Sequence, residues 1–234
     1  MCNSDEVMAD GSSNSLLLLG IDTCGPSGSV ALGRLSGSLV EVLGQVELDG
    51  KNYSERLIAA VGELLAAHGV KLRQVGCVVA VNGPGSFTGV RVGLSAVKGL
   101  AAGVGMPVVA ISRLEVLAGK SGVAAAALDA HRSEVFLRVD GRELLAGADE
   151  LAEVGAPARV AVSDVAATKL LRAAWPGAAL AQTDPPTAAD ALKYAAPRIL
   201  AKDFVEIALL DGHYLRRSDA EIHLAASEAV VEQP

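Results

Sequence analysis

A short segment of glycine and proline, placed between a buried strand and a helix, constrains this chain most. The residues Cys77–Val81 are all apolar, which is typical of a strand buried on both faces of a parallel sheet. Gly83–Gly85 then turn the chain, because glycine tolerates positive φ angles and proline fixes its own. A helix is predicted over Thr88–Val104, with Ser86 or Thr88 as its N-cap. The sequence therefore predicts a central strand, a tight loop and a helix.

The predicted helix is unusually rich in glycine. Gly93, Gly99 and Gly103 lie inside it, and each destabilises a helix by about 1 kcal/mol relative to alanine, or roughly 3 kcal/mol in total. Together with Gly89 and Ala96 they recur every three or four residues and share one helix face without large side chains. Two interpretations remain open. The face packs against a neighbouring element of the same fold, or it binds another chain.

The segment Asn82–Leu94 is similar to the signature of the TsaB (YeaZ) family, whose members are also described as glycoprotease homologues. Two other motifs agree with it, Asp129–Val135 and the closing segment Gly212–Arg216, and the resemblance covers Leu17–Arg217. Tyr53 departs from the family, which often has histidine at this position. The residues of the signature loop are Gly83, Pro84, Gly85, Ser86, Phe87, Thr88 and Arg91.

The resemblance implies a non-catalytic scaffold subunit in the threonylcarbamoyladenosine modification of tRNA. Such a subunit would bind and activate the catalytic subunit TsaD, act with the ATPase TsaE, form a homodimer in the absence of its partner, and engage tRNA indirectly. The implied docking helices are Ser54–His68 and Thr88–Val104, and leucine at Gly93 or Gly99 is expected to abolish partner binding without unfolding the chain. The predicted partner-binding residues are Arg56, Leu57, Ala60, Val61, Leu64, Gly89, Val90, Gly93, Leu94, Val97 and Gly99.

The fold class implied by the resemblance is α/β, with two RNase H-like domains of the actin and hexokinase type (ASKHA) side by side and the second reduced. A faint repeat supports two related halves, because the pattern of strand, Asp, turn and strand around Asp22 recurs around Asp129. In the second half, helices are predicted at 114–119, 165–174 and 187–201, and Pro197 is expected to kink or shorten the last of them. The expected divisions are a disordered tail at 1–15, a first domain at 16–110, a second at 111–224 and a disordered tail at 225–234.

Nucleotide binding is an alternative function. In the actin-like superfold, hydroxyls and amides of the first hairpin lie against phosphates and a carboxylate holds magnesium, for which carboxylate oxygens are suitable ligands. The corresponding residues of the first hairpin here are Asp22, Thr23 and Ser29, and Asp129 is at the position of a second carboxylate near the phosphates. The scaffold role requires no cofactor, whereas a kinase or ATPase would use ATP or ADP with magnesium. An ordinary turn explains the same residues.

Other classes of enzyme lack their motifs in this chain. The Gly83 loop does not end in the Gly-Lys-Ser/Thr of a P-loop, and no Gly-x-Ser-x-Gly element is present. The metal-binding relatives of the family use two histidines four residues apart, a spacing that none of the four histidines here has. A glycoprotease is therefore the less favoured alternative, no metal site is predicted, and His131 is interpreted as a surface turn residue.

Composition limits the partners and the compartment. The formal net charge of -7 and the pI of about 5.1 argue against an extensive phosphate-binding surface, so a partner is expected to hold the tRNA. The three cysteines are far apart, which favours a reducing compartment. The Leu16–Leu19 run is too short for a signal peptide, and no stretch is long enough to span a membrane, so a cytoplasmic location without membrane contact is expected.

Overall fold

The first sheet of the fold surrounds the predicted central strand. The computed structural model describes residues 15–49 and 53–216. Its first sheet has the order β3-β2-β1-β4-β5. The strands are β1 Leu16–Asp22, β2 Ser27–Ser36, β3 Leu39–Asp49, β4 Val75–Val81 and β5 Val108–Ile111, and the helices between them are α1 Tyr53–Ala67 and α2 Phe87–Val104.

A second five-stranded sheet follows, with the order β10-β9-β6-β7-β8. Its strands are β6 Ala125–Asp129, β7 Val135–Val139, β8 Arg142–Ala146, β9 Arg159–Val162 and β10 Ala179–Gln182. The helices of this half of the chain are α3 Arg113–Ser121, α4 Ala148–Val154, α5 Val165–Ala174 and α6 Ala188–Leu200. The sequence patterns indicated α3, α5 and α6 but gave no indication of β8, α4 and β10.

The two sheets have the same topology. In the first, β1, β2 and β3 form an antiparallel meander, and β4 and β5 are added parallel to β1 on its other side. In the second, β6, β7 and β8 form the meander, and β9 and β10 are added parallel to β6. The faint sequence repeat therefore corresponds to a repeated order and direction of strands.

The prediction for the central strand is confirmed. β4 lies between β1 and β5 and runs parallel to both. Its residues Cys77–Val81 are at most 4% exposed. A strand that is covered on both faces has no use for polar side chains, which explains its continuous apolar sequence.

The last helix does not remain with the second sheet. α6 packs on all five strands of the first sheet, whereas α3 packs on β6, β7 and β9. A Cβ at Gly20 of β1 would lie 2.8 Å from the carbonyl oxygen of Ala188 and 3.1 Å from Leu192, so glycine permits close contact between this sheet and α6. Helix α6 falls within the predicted second domain at 111–224 but packs on the sheet of the predicted first domain. Pro197 lies inside α6, which ends at Leu200, one residue before its predicted end.

Helices α1 and α2 lie against each other on one face of the first sheet, and α6 lies on the opposite face. None of the helices in 15–49 and 53–216 is both long and apolar enough to cross a bilayer. Residues 1–14, 50–52 and 217–234 lie outside the described residues. They include Cys2, all but the last residue of the predicted tail at 1–15, and the whole predicted tail at 225–234.

Candidate functional site

The signature loop is held by backbone hydrogen bonds on three sides. The amide of Ser86 donates to the carbonyl of Cys24 (2.7 Å), the amide of Arg113 to that of Gly83 (2.7 Å), and the amide of His213 to that of Asn82 (2.7 Å). These bonds connect the loop to the first hairpin, to the start of α3 and to the closing segment of the chain. The loop is therefore a junction between segments that are distant in sequence.

Of the two predicted caps for α2, Ser86 is the one used. Its Oγ accepts a hydrogen bond from the amide of Gly89 at 3.2 Å, and α2 begins at Phe87. This arrangement satisfies one of the amides that a helix start leaves without an intrahelical partner.

At the first two glycines of α2, another segment of this chain occupies the space that a side chain would need. A Cβ at Gly89 would overlap the carbonyl oxygen of Thr23, and a Cβ at Gly93 would overlap the Thr23 hydroxyl. That hydroxyl also donates to the carbonyl of Gly89 at 2.6 Å. The first half of the glycine face therefore packs against the β1–β2 hairpin. Of the two interpretations of the glycine face, packing within the same fold therefore describes Gly89 and Gly93, and a leucine at Gly93 would have to displace Thr23.

The second half of the same helix is open. A Cβ at Gly99 or Gly103 would meet no atom within 4 Å, and the same is true of Gly62 on the neighbouring α1. Two apolar side chains of the same helices are also exposed, Ile58 on α1 (53%) and Val104 on α2 (40%). We call the exposed side of α1 and α2 around these five residues the bare face.

The side chains predicted to bind a partner mostly point into the core. Only Arg56 and Gly99 are exposed. The other nine are buried and hold α1 and α2 on the first sheet: Leu57, Ala60, Val61, Leu64, Gly89, Val90, Gly93, Leu94 and Val97. Their burial has a simple cause, since the apolar positions of an amphipathic helix face its own core first, and their contact with a partner stays a prediction.

The structure brings the three family-like motifs together. The ring of Phe87, from the signature loop, lies 4.7 Å from the ring of Tyr214 in the closing segment. Arg91 stacks on Phe87 at 3.9 Å from its centroid. Arg216 pairs with Glu134 and donates to the carbonyl of Ala130 at 2.6 Å, which joins the closing segment to the β6–β7 hairpin.

A cavity of about 710 Å³ lies where these motifs meet, between the two sheets. The first hairpin, the signature loop and the start of α3 form one side, and the β6–β7 hairpin, the start of α5 and the closing segment form the other. The sequence motifs therefore surround one space, although the sequence alone did not place them together.

The residues proposed to hold a nucleotide in the first hairpin are already used inside the protein. Asp22, Thr23 and Ser29 are 1–3% exposed. Asp22 Oδ1 accepts from the amide of Cys24 at 2.8 Å, its Oδ2 lies 3.6 Å from Arg113 Nε, and the Ser29 hydroxyl accepts from the amide of Ala188 at 2.8 Å. All three side chains are therefore engaged within the protein in this structure, and a contact with nucleotide at these residues stays a prediction.

The second hairpin has a different conformation. Asp129 lines the cavity and is 26% exposed. His131, Arg132 and Ser133 all have positive φ angles, between 55° and 62°, a conformation that costs about 1–2 kcal/mol per residue other than glycine. Asp129 accepts from the amide of His131 at 2.8 Å and pairs with its ring at 3.0 Å. The His131 side chain is 87% exposed, which confirms its interpretation as a surface turn residue.

Glu143 of β8 ties the closing segment to the start of α3. It accepts from the Ser112 hydroxyl at 2.6 Å, from Arg138 at 2.8 Å and from His213 at 2.9 Å. Burial by itself would raise the pKa of Glu143, but these three donors outweigh it and lower the pKa below its usual value. The sequence gave no indication of this cluster, because β8 itself was not predicted.

Two ionisable groups of the cavity wall, the thiol of Cys24 and the hydroxyl of Tyr53, are held in their neutral forms. Burial, and then the neighbouring Asp22, raise the pKa of the Cys24 thiol, and the same two causes raise the pKa of the Tyr53 hydroxyl. Tyr53 donates instead to the carbonyl of Gly25 at 2.8 Å. A thiol that stays protonated is a poor nucleophile. No cluster of three or more metal-ligating side chains occurs within the part of the chain that the structure covers.

These features define a class: an α/β protein with two five-stranded sheets of equal topology and a cleft between them. A family model described as TsaD, tRNA N6-adenosine threonylcarbamoyltransferase, matches residues 47–205, which is more than half of the chain. Among solved structures, YeaZ from Pseudomonas aeruginosa superposes with a TM-score of 0.70 at 28% identity, covering 86% of this chain and 100% of that one.

Relatives of known sequence agree with this. The TsaB protein of Haemophilus influenzae is 37% identical over 129 residues, which are 55% of this chain and 50% of that protein. An uncharacterized protein of Mycobacterium tuberculosis is 31% identical over 159 residues, which are 62% of this chain and 74% of that protein. The chain belongs to the TsaB (YeaZ) family, and it spans about half the length of the curated TsaB relatives that it matches.

Proposed function

We propose that this protein is a scaffold subunit in the biosynthesis of threonylcarbamoyladenosine in tRNA, and that it binds and activates a TsaD-type catalytic subunit. The names of its relatives support the pathway: TsaB proteins of three bacteria at 33–37% identity are biosynthesis proteins for this nucleoside. The two sheets would then be two actin-like domains side by side, and the catalytic partner would be related to this chain through the same family model.

The observation that carries the proposal is the bare face. Glycines at 62, 99 and 103 leave helical backbone open to solvent, although exposed alanine would stabilise each helix by about 1 kcal/mol. Ile58 and Val104 add exposed apolar surface on the same two helices. A second backbone can approach a glycine surface closely, and contact with a partner would offset the loss of helix stability.

The charge of the chain fits an indirect role toward RNA. With a formal net charge of -7, this subunit offers no general attraction for a polyanion. We propose that the partner holds the tRNA, that a TsaE-type ATPase joins the same assembly, and that a homodimer through the bare face replaces the heterodimer when the partner is missing. The assembly would work in the cytoplasm.

A reconstituted reaction tests the function. Purified TsaD-type subunit, TsaE-type ATPase, threonylcarbamoyl adenylate and tRNA are combined with or without this protein, and the modified nucleoside is measured by mass spectrometry. We expect modification only when this protein is present, and no ATP or peptide hydrolysis by this protein alone. Equal modification in its absence, or turnover by the isolated chain, would refute the scaffold role.

A further inference from the structure

Arg113 is buried in the cavity wall without a full set of partners. Its side chain is 8% exposed and lines the cavity. Its Nε has no hydrogen-bond partner among the residues that the structure describes, because the nearest carboxylate oxygen, Oδ2 of Asp22, lies 3.6 Å away. Buried polar groups are nearly always satisfied. This Nε is closed to solvent and faces Asp22. An acceptor in the cavity would therefore meet the end of the guanidinium, where Nη2 lies beside Gly25 of the same wall.

The start of α2 adjoins this guanidinium. A Cβ at Gly25 would overlap Arg113, so the absence of a side chain there makes room for the guanidinium. The preceding residue, Cys24, accepts the hydrogen bond from Ser86, the N-cap of α2, and Ser86 and Phe87 also line the cavity. The N-terminus of an 18-residue helix carries a positive partial charge and amides without intrahelical partners. Both features favour an anion.

The rest of the wall limits how much negative charge the anion carries. Three carboxylates, those of Asp49, Asp129 and Asp164, line the cavity together with three arginines, Arg113, Arg132 and Arg216. This near balance opposes a triphosphate, because additional like charges at close range are unfavourable. It suits an anion of one or two charges.

Apolar side chains complete the wall. Phe87 and Tyr214 are in contact with each other at one side, and Leu128, Phe136 and Pro185 line the cavity from other segments. Cavities that bind small molecules combine such apolar walls with a few convergent polar groups. The bound molecule therefore needs an apolar or ring-shaped part as well as its anionic group.

We propose that the cavity binds a small amphipathic organic anion. Its carboxylate or phosphate group lies at Arg113 and the N-terminus of α2, and its apolar body lies against Phe87, Phe136 and Tyr214. Asp22 is no ligand in this arrangement, since its carboxylate positions Arg113 from behind. The site is separate from the bare face, so it does not depend on the proposed scaffold function.

Phenyl phosphate and benzoate are suitable probes, because each combines a ring with one anionic group. Titration calorimetry of the whole protein measures both, alongside inorganic phosphate, phenol and ATP. We expect saturable binding of at least one ring anion, at least about tenfold tighter than inorganic phosphate, phenol or ATP. Comparison of the two ring anions distinguishes a carboxylate ligand from a phosphate ligand. Absence of saturable binding by both, or tighter binding of ATP, would overturn the proposal.

Variants locate the site. Arg113→Gln should weaken binding of the ring anion by at least about tenfold. The double variant Asp22→Asn/Arg113→Gln should weaken it equally, and because it removes both buried charges it does not leave Asp22 as an unpaired carboxylate. Arg91→Gln is the matched control, since Arg91 stacks on Phe87 but lies outside the cavity wall, and it should bind as the unmodified protein does. Unchanged binding by the double variant, or an equal loss in Arg91→Gln, would contradict the assignment. Binding of the TsaD-type subunit should be unaffected by Arg113→Gln.

Discussion

The two ends of α2 carry the same residue at the same spacing and use it differently. Near the start, Thr23 of the neighbouring hairpin occupies the space beside Gly89 and Gly93. Gly99 and Gly103, near the end, face open space. A missing side chain at the first end is a requirement of the fold, whereas at the second end it brings the fold no contact. A periodic glycine pattern therefore does not define a single surface, and each position has to be assigned by what lies opposite it.

The largest expected difference between the two ends is in stability. Gly89→Ala should lower the free energy of unfolding by about 3 kcal/mol, because its Cβ would overlap the backbone carbonyl of Thr23, which has little freedom to move. Alanine would otherwise favour the helix by about 1 kcal/mol. Urea denaturation measures the change. A Gly89→Ala protein as stable as the original would show that the hairpin does not need this close contact.

The contact at Gly93 should be relieved by a change in its neighbour. A Cβ there would meet the Thr23 hydroxyl, a side-chain atom, so Gly93→Ala and Thr23→Ala, each costing about 1–2 kcal/mol alone, should together cost at least about 1 kcal/mol less than their sum. Thr23→Ala should give no such relief to Gly89→Ala, because the carbonyl remains. A double-mutant cycle measured by urea denaturation tests this. Additive costs at Gly93 would contradict the assigned overlap.

The loop that leads into α2 depends on a second contact, which responds to pH. Glu143 holds His213, whose amide donates to the loop at Asn82. The pKa of Glu143 is lower in the folded protein than in the unfolded chain, where it is about 4.3. The stability that the ionised Glu143 contributes is therefore fully present above the unfolded-state pKa, and it is lost as the pH falls through the folded-state pKa.

Glu143→Gln should therefore lower the free energy of unfolding by about 1–2 kcal/mol at pH 7, and the difference from the original protein should shrink toward pH 3. Denaturation series at pH 7, 5 and 3 provide the measurement. A difference that stays constant over this range would mean that the charge of Glu143 has no role in holding the closing segment.

The smallest effect is expected at the open end. Gly99→Ala should raise the free energy of unfolding by about 0.5–1 kcal/mol, because alanine is the better helix former and its Cβ meets no neighbour. Thermal and urea denaturation, with Gly89→Ala measured alongside, show whether the two ends respond with opposite signs. A lower stability of the Gly99→Ala protein would contradict the proposed difference between the two ends of α2.

The sequence predicted the parts of the fold that local patterns determine. The apolar run of β4, the Ser86 cap and the meander of the first sheet follow from burial and turn chemistry. β8 and β10 escaped prediction because the partly buried sequences of these edge strands mix polar and apolar residues without clear alternation. The return of α6 to the first sheet depends on contacts with Gly20 and other residues far away in sequence.

The candidate site was less predictable than the fold. The three motifs were visible in the sequence, but no sequence pattern indicated a role for Arg113, and only the structure shows it buried beside Asp22. The sequence could not show that Gly89 packs against Thr23 of the same chain rather than against a partner. The helical period gives the direction in which a position faces, but not the identity of its neighbour.

The central claim is that the open end of α2 is where the catalytic partner binds. Titration calorimetry of the TsaD-type subunit into Gly99→Leu measures it directly, with Ala173→Leu, an exposed position on α5, as the matched control. The account predicts a folded Gly99→Leu protein whose affinity for the partner is at least about tenfold lower, and an Ala173→Leu protein that binds normally. Binding of Gly99→Leu with the original affinity would contradict it.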